Sequence, residues 1–165
     1  MVFLRTPKIE DLLEIKSAYE NSISIHNPWV FAPDNYMSYL QQEGRYFICA
    51  NETGAIVGTF NISGVVRGYF QSAYLGYEVF HPYQEKGLMS KGLKLLLKEA
   101  FESLNLHRLE ANIQPENIAS IKLVSNGGFV KEGFSLNYLR VGGFEWKDHE
   151  RWAIVNSNWS EQKKS

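Results

Sequence analysis

At 165 residues, with 44% apolar, 14% aromatic and 21% charged residues, the chain has the composition of a folded domain that buries its own core, not of a disordered segment. A formal net charge of -1 leaves no overall basic field for nucleic acid, so any anion site has to be local. A lone cysteine, Cys49, excludes an internal disulfide, and no stretch approaches the roughly 20 apolar residues of a membrane span. We therefore expect a single domain over residues 1–165, in the cytoplasm, with neither nucleic acid nor membrane as a partner.

Val2 to Thr6 reads as a short strand, and Thr6-Pro7-Lys8-Ile9-Glu10 as a helix start with proline in the first turn. Ile9, Leu12, Leu13, Ile15 and Ala18 recur at helical spacing and predict an apolar stripe that ends by Asn21. The next stretch, 27–35, carries two prolines and the aromatics Trp29 and Phe31; it reads as a loop opening a second helix near Asp34, through Tyr36, Met37, Tyr39 and Leu40. Trp29 and Phe31 either line a substrate groove or pack these helices onto a sheet. From Arg45 the period changes to two, and Tyr46–Asn51 and Ala55–Ser63 read as strands joined by the turn Glu52-Thr53-Gly54. Cys49 lies inside the first of them, as a buried strand residue rather than a nucleophile.

A third strand, Ala73 to Phe80, completes an antiparallel meander and is stopped by Pro82, which cannot donate to a ladder. Then comes the loop His81-Pro82-Tyr83-Gln84-Glu85-Lys86-Gly87, followed by Met89, Leu93, Leu96, Leu97, Ala100, Phe101 and Leu104 in one helical stripe. Strand, glycine turn and helix start follow within a dozen residues, and the unpaired first-turn amides of such a helix favour a phosphate. Beyond it, His107–Ile113 is a strand, and Pro115-Glu116-Asn117 opens a helix through Ile118, Ile121 and Val124 that Gly127-Gly128 ends. Phe129–Arg140 and Trp146–Val155 are strands joined at Gly142-Gly143, and the polar segment 156–165 is expected to fray. The order β-α-α-β-β-β-α-β-α-β-β predicts an α/β (α+β) fold with a central, mostly antiparallel mixed sheet and helices on its faces.

The loop order Gln84-x-x-Gly87-x-Met89 resembles the Q/R-x-x-G-x-G/A loop with which GCN5-related N-acetyltransferases (GNAT) hold the pyrophosphate of acetyl-coenzyme A. Met89 departs at the last position, as is familiar in the branch that acetylates protein N-termini. Val65-Val66-Arg67-Gly68, Tyr74-Leu75-Gly76-Tyr77, Gly87-Leu88-Met89, His107-Arg108, Pro115-Glu116-Asn117-x-x-Ser120, Gly128-Phe129, Glu132-Gly133 and Asp148-His149 are together similar to the RimJ-type ribosomal-protein alanine N-acetyltransferases. The resemblance runs from about Gly58 to Trp159, and the first 45 residues stand outside it.

It implies acetyl-CoA as the donor, held by Val79, Phe80, Gln84, Glu85, Lys86, Gly87, Leu88, Met89 and Ser90, with the Asn117 amide on the pantetheine arm and Ser120 near the sulfur. It also implies that the strand before the loop splays from its neighbour, so that the Val79 amide meets the thioester oxygen. The acceptor it implies is a protein N-terminal α-amine, acted on by a monomer or homodimer. Deprotonating an α-amine at pH 7 costs only about 1 kcal/mol, against about 4.6 for a lysine. Direct transfer then needs a proton acceptor for the amine and a proton for the departing thiolate.

Glu78, where the strand meets the loop, is the candidate base by placement alone; the alternative is a solvated or ion-paired carboxylate. Glu110 is a weaker candidate, His81 a polar loop residue or phosphate neighbour, and His107 and His149 structural. Asn117 and Ser120 also suit plain helix capping. Tyr138, on the late strand that approaches the thioester in this fold, is either the acid for the thiolate or a core tyrosine. Lys86, Lys91, Lys94 and Lys98 either assist phosphate binding or form a solvated helix face. No zinc-spaced Cys/His cluster, G-x-x-x-x-G-K-S/T loop or G-x-S-x-G elbow occurs, so metal, nucleotide-triphosphatase and serine-hydrolase readings fall away. Two rival readings stay open: acetylation of a small amine such as an antibiotic or polyamine, and a CoA-binding regulatory module without catalysis.

Overall fold

The computed structural model describes residues 1–161. Its strands are β1 (Val2–Arg5), β2 (Arg45–Ala50), β3 (Ile56–Val66), β4 (Ser72–Val79), β5 (Arg108–Ile113), β6 (Val130–Val141) and β7 (Glu145–Val155). The helices are α1 (Leu12–Asn21), α2 (Ile23–His26), α3 (Tyr36–Gln41), α4 (Leu88–Lys98) and α5 (Ile118–Asn126). All the strands form one mixed sheet in the order β1-β2-β3-β4-β5-β7-β6, antiparallel except for β4 against β5.

Helices cover both faces. Under α4 and α5, Leu93, Leu96 and Val124 meet Ile48, Phe60, Ile62, Leu75 and Leu109 of the sheet, which alternation sends to that side, and Val57, which joins them where the β2–β3 register shifts. Under α1 and α3, Ile15, Tyr19, Tyr39 and Leu40 pack on Phe47, Cys49, Ile56 and Phe80. Cys49 is buried there, as its place in an apolar strand predicts. No described helix is long and apolar enough to cross a membrane.

The parallel pair is the irregular one. β4 and β5 are in register only from Ser72↔Arg108 to Tyr74↔Glu110. Beyond that point β4 stays on β3 as far as Val79↔Gly58, while β5 stays on β7 as far as Ile113↔Glu150. Each strand keeps its antiparallel partner, and the parallel neighbours part. The splay expected between the strand before the loop and its neighbour is this opening.

Three details differ from the sequence reading. Ile9 and Leu13 were expected in the buried stripe of the first helix, yet they are 48% and 78% exposed, and the buried face is Ile15 and Tyr19. Ile9 lies in a tighter 3-10 turn, Ile9–Asp11, before α1 and out of phase with it, while Leu12, Ile15 and Ala18 of the expected stripe do pack inward. A short helix, α2, also fills the segment between α1 and the proline loop. Finally, the described part of the C-terminal segment does not fray: Asn156 N–H donates to His107 O at 2.7 Å, and the Trp159 indole donates to Asn105 O at 2.9 Å with its ring edge-on to His107. The remainder of that expectation, 162–165, lies outside the described residues.

Leu96 has no exposed surface and sits where α4 crosses the sheet. Leu96→Ala is expected to destabilise the protein by about 2–5 kcal/mol, read as a lower midpoint at unchanged slope in urea unfolding.

Candidate active site

A cavity of about 700 Å³ opens where β4 and β5 part. Its walls come from four places in the chain: Ile25, His26, Trp29 and Val30 from the early helical layer; Tyr77, Glu78 and Val79 from the end of β4; Tyr83 to Ser90 from the loop and first turn of α4; and Asn117 to Ser120 with Lys122, Leu123 and Asn126 from α5.

The loop builds its part with backbone. Glu85 at φ 61° and Gly87 at φ 73° both take the left-handed region, so the chain turns twice within three residues before α4 begins. Gly87 is the N-cap of α4 with no side-chain cap, and the first intrahelical bond is Lys91 N–H to Gly87 O at 3.3 Å. The N–H groups of Leu88, Met89 and Ser90 precede that bond and have no acceptor in the helix. A Cβ added at Gly87 would meet no atom within 4 Å, so the space beside these amides is open. Gln84 Nε2 meets His81 Nδ1 at 2.9 Å, while Gln84 Oε1 is buried with no partner. Lys86 lines the cavity near the amides. Uncapped amides, the positive end of a helix dipole, an unpartnered amide oxygen and a lysine suit a ligand that carries both phosphates and amide N–H groups.

On the opposite wall Asn117 is the N-cap of α5, its Oδ1 accepting from Ser120 N–H at 3.4 Å. Capping uses the oxygen alone and leaves the Asn117 NH₂ for another partner, so the two readings of this residue coexist. Ser120 presents its carbonyl to Tyr77 OH at 3.0 Å, a bond that ties β4 to α5 across the opening. Burial pushes the Tyr77 phenol up, which keeps it a hydrogen-bond donor.

Backbone alternation sets what β4 offers. Phe80 N–H donates to Val57 O on β3 at 2.9 Å, so the N–H of Val79 faces the other edge, into the gap. Glu78 points to the face covered by α1 and α3. It is half-buried, and its carboxylate is surrounded by protein apart from the cavity it lines. Tyr19 OH lies 3.5 Å from Glu78 Oε2 and 3.1 Å from Tyr39 OH, and the Arg45 guanidinium stacks 3.9 Å from the centre of the Tyr39 ring. Burial pushes the Glu78 carboxyl up, with the Arg45 charge and the Tyr19 hydroxyl opposing it. Arg45 is itself buried, held by Thr59 Oγ1 at 3.1 Å and Gln42 Oε1 at 3.0 Å. A carboxylate of raised proton affinity facing a cavity suits proton acceptance from a bound amine.

Of the residues singled out from sequence, Glu78, Val79, Gln84, Glu85, Lys86, Gly87, Leu88, Met89, Ser90, Asn117 and Ser120 are brought together here. Two are not. Phe80 was expected against the cofactor, but it is 1% exposed: alternation sends its ring under α1 against Tyr19, and its N–H is used by β3. Tyr138 was expected to approach the thioester, yet it lies outside the lining, with its ring 6.3 Å from His149 and its phenol beside Tyr74, near the paired end of β4 and β5. The reason is a bulge in β6 between Ser135 and Leu139, where Asn137 takes φ 47° and donates its N–H to Asp148 Oδ1 at 2.8 Å. Of the four lysines singled out from sequence, Lys86 lines the cavity, and Lys91, Lys94 and Lys98 are solvent-exposed on α4. Sequence reading gave no site role to Lys122, His26, Tyr77 or Tyr83; the first two stand in no motif, and the two tyrosines stand in quoted stretches without a role.

A second cavity of about 510 Å³ adjoins the first, lined by Pro28, Trp29, Gln114, Pro115, Glu116, Asn137, Val141, Trp146, Lys147 and Asp148. Trp29 belongs to both walls. Phe31 lines neither; its ring rests on Gly142 at φ 64°, where a Cβ would come within 2.8 Å of it, and so docks the β6–β7 hairpin on the early loop.

Comparison with known proteins adds to this geometry. A family model described as an acetyltransferase (GNAT) domain matches residues 2–130. The [ribosomal protein uS5]-alanine N-acetyltransferase of Escherichia coli (strain K12) is 38% identical over 105 residues, 64% of this chain and 54% of that enzyme, so the match spans little more than half of that relative. The spermidine N(1)-acetyltransferase of Escherichia coli (strain K12) is 28% identical over 153 residues, 86% of this chain and 80% of that one. Among solved structures, Mycobacterium smegmatis RimJ in complex with CoA-disulfide superposes with a TM-score of 0.85 at 25% identity, covering 97% of this chain and 84% of that one.

The raised Glu78 pKa has a stability consequence whose sign is fixed. Folding favours the protonated carboxyl, so the contribution is fully present below the ordinary value of 4.5 and is lost as pH rises through the higher folded value. Wild-type stability relative to Glu78→Gln is therefore expected to fall as pH rises from about 4.5, measured by denaturant unfolding at a series of pH values. A constant difference between the two proteins would contradict the raised pKa.

Proposed function

Because the chain belongs to the acetyltransferase (GNAT) family, whose acetyl donor is acetyl-CoA, we propose that the larger cavity holds that donor and that the acetyl group passes directly to a protein N-terminal α-amine. The observation that carries the donor assignment is the opening between β4 and β5, which sets the Val79 N–H beside the uncapped start of α4. Acetyl-CoA supplies an activated acetyl group as a thioester. The amides of Leu88, Met89 and Ser90, with Lys86 and Lys122, would hold its phosphates, and Asn117 Nδ2 its pantetheine arm. The Val79 N–H would donate to the negative charge that develops on the acetyl oxygen, Glu78 would take the amine proton, and the Ser120 hydroxyl would protonate the thiolate. Tyr138 receives no role.

The acceptor reading rests on the second cavity. It continues from the first past Trp29 and gives an extended chain somewhere to lie beyond the reacting amine, between the early loop and the β6–β7 hairpin. The RimJ-type likeness supports the same choice, and so does the low cost of deprotonating an α-amine. One observation favours a second reading: the chain is also similar to a spermidine acetyltransferase over most of its length, and Glu116 and Asp148 give the second cavity two carboxylates that a polyamine would seek. Lys147 in the same wall weighs against a polycation.

Gly87→Glu is expected to raise the acetyl-CoA Kd about tenfold or more by calorimetry, because bulk and negative charge enter the space beside the α4 amides. Gly87→Ala, which has the same backbone strain without the charge, should lose less. Unchanged affinity in folded Gly87→Glu would overturn the placement of the donor.

The acceptor is tested by mass spectrometry of N-terminal peptide libraries incubated with acetyl-CoA in the presence of polyamines and aminoglycosides. Peptides beginning with alanine or serine are expected to be acetylated at the α-amine, and Trp29→Ala to raise the peptide KM at least about threefold more than the acetyl-CoA KM. Products confined to the small amines would establish the second reading. Binding of acetyl-CoA without acceptor-dependent thiol release would indicate a regulatory module.

A further inference from the structure

Where β4 leaves β5, its free edge carries backbone groups with no strand to bind. The period of two that gives Phe80 N–H to β3 turns the groups of Val79 and His81 to this edge. The helical layer takes up two of them. His26 Nε2 lies 2.7 Å from Val79 O, and His81 N–H donates to Ser22 Oγ at 3.0 Å. A carbonyl only accepts, so the His26 ring carries its proton on Nε2. The ring has little freedom to turn: it is 6% exposed, edge-on to Tyr19 at 5.7 Å and tilted against Phe80 at 5.7 Å. Ser22 is equally fixed, fully buried with its hydroxyl donating to Ala18 O.

We propose that His26, with Ser22, clamps the end of β4 and keeps the Val79 N–H directed into the opening, which makes His26 a positioning residue for acetyl transfer. The clamp satisfies the Val79 carbonyl and the His81 amide, the groups that a continuing β5 would have bound, and leaves the amide between them free. A strand end with all three groups unsatisfied would be drawn back towards β5, closing the gap, or would twist to hydrate them. His26 also lines the donor cavity, so the geometry it fixes is next to the reacting atoms. Burial disfavours the imidazolium, the bond to Val79 opposing, so the ring stays a neutral donor of defined tautomer.

This inference rests on the reading of Val79 N–H as the donor to the acetyl oxygen, and its test separates the two. The full chain, ¹⁵N-labelled, is titrated with S-acetonyl-CoA, a ketone whose carbonyl lies one methylene beyond the sulfur, close to the thioester position, and cannot be transferred. In the wild type the Val79 amide resonance should move on binding. In His26→Leu the ketone should bind within about threefold of wild type without that movement, and kcat for acetyl transfer should fall about 10- to 100-fold at nearly constant acetyl-CoA KM. His26→Gln, which keeps an N–H donor, should recover part of both, and Ser22→Ala should show a smaller loss of the same kind. His26→Leu with wild-type kcat and an intact Val79 response would overturn the clamp. So would parallel loss of binding and turnover with no recovery in His26→Gln, since that is the signature of general damage to the fold. A wild-type Val79 amide that ignores the ketone would overturn the donor reading itself, and the clamp's role with it.

Discussion

The parting of β4 from β5 is the constraint on which the rest of the molecule depends. A parallel pair has no hairpin to hold it, and here it is in register for only three residue pairs before each strand follows its antiparallel partner. The opening is then bridged by side chains: Tyr77 reaches the Ser120 carbonyl from one half of the sheet, and His26 takes the Val79 carbonyl from the helical layer. Those bonds satisfy the carbonyl at the end of β4 and tie β4 to α5, while the Val79 N–H stays directed at the cavity. α4 starts at the mouth of the same opening, so its unpaired amides and the strand's unpaired amide serve one space.

Electrostatics in that space come from placing rather than from abundance of charge. Glu78 sits on the α1/α3 face with Tyr19, Tyr39 and Arg45 arranged behind it, and the partial opposition of burial and the Arg45 charge sets how tightly it holds a proton. Arg45 is kept from closing on Glu78 as an ion pair by its bonds to Thr59 and Gln42 and by its stacking on Tyr39. A direct pair would have drawn the carboxyl down instead.

Much of this architecture is legible from sequence because it rests on local rules. The strand–glycine–helix order around Gly87, the Asn117 cap three residues before Ser120, and the change of period at Arg45 are statements about neighbours in the chain, and the structure places them as read. What stayed hidden depends on long-range geometry. His26 belongs to a short helix with no periodicity to announce it, and its partner Val79 is 53 residues away. Phe80 and Tyr138 were misplaced for two different reasons: at Phe80 alternation at the strand end opposes the side-chain role, and at Tyr138 a bulge paired to Asp148 redirects the strand. The inward face of α1 was read correctly at Leu12, Ile15 and Ala18, and Ile9 falls outside it because a 3-10 turn precedes the helix.

Trp29 is a wall common to two chambers, and their other walls divide along a seam in the chain. The walls of the first come mainly from β4, α4 and α5, whereas the far chamber is assembled from the proline loop, the segment before α5 and the β6–β7 hairpin. Substitutions in that second set can reshape the far chamber while the walls of the first, Trp29 apart, persist. A partition of this kind lets the far chamber change shape while the walls built by β4, α4 and α5 stay constant, with a single indole as the element common to both.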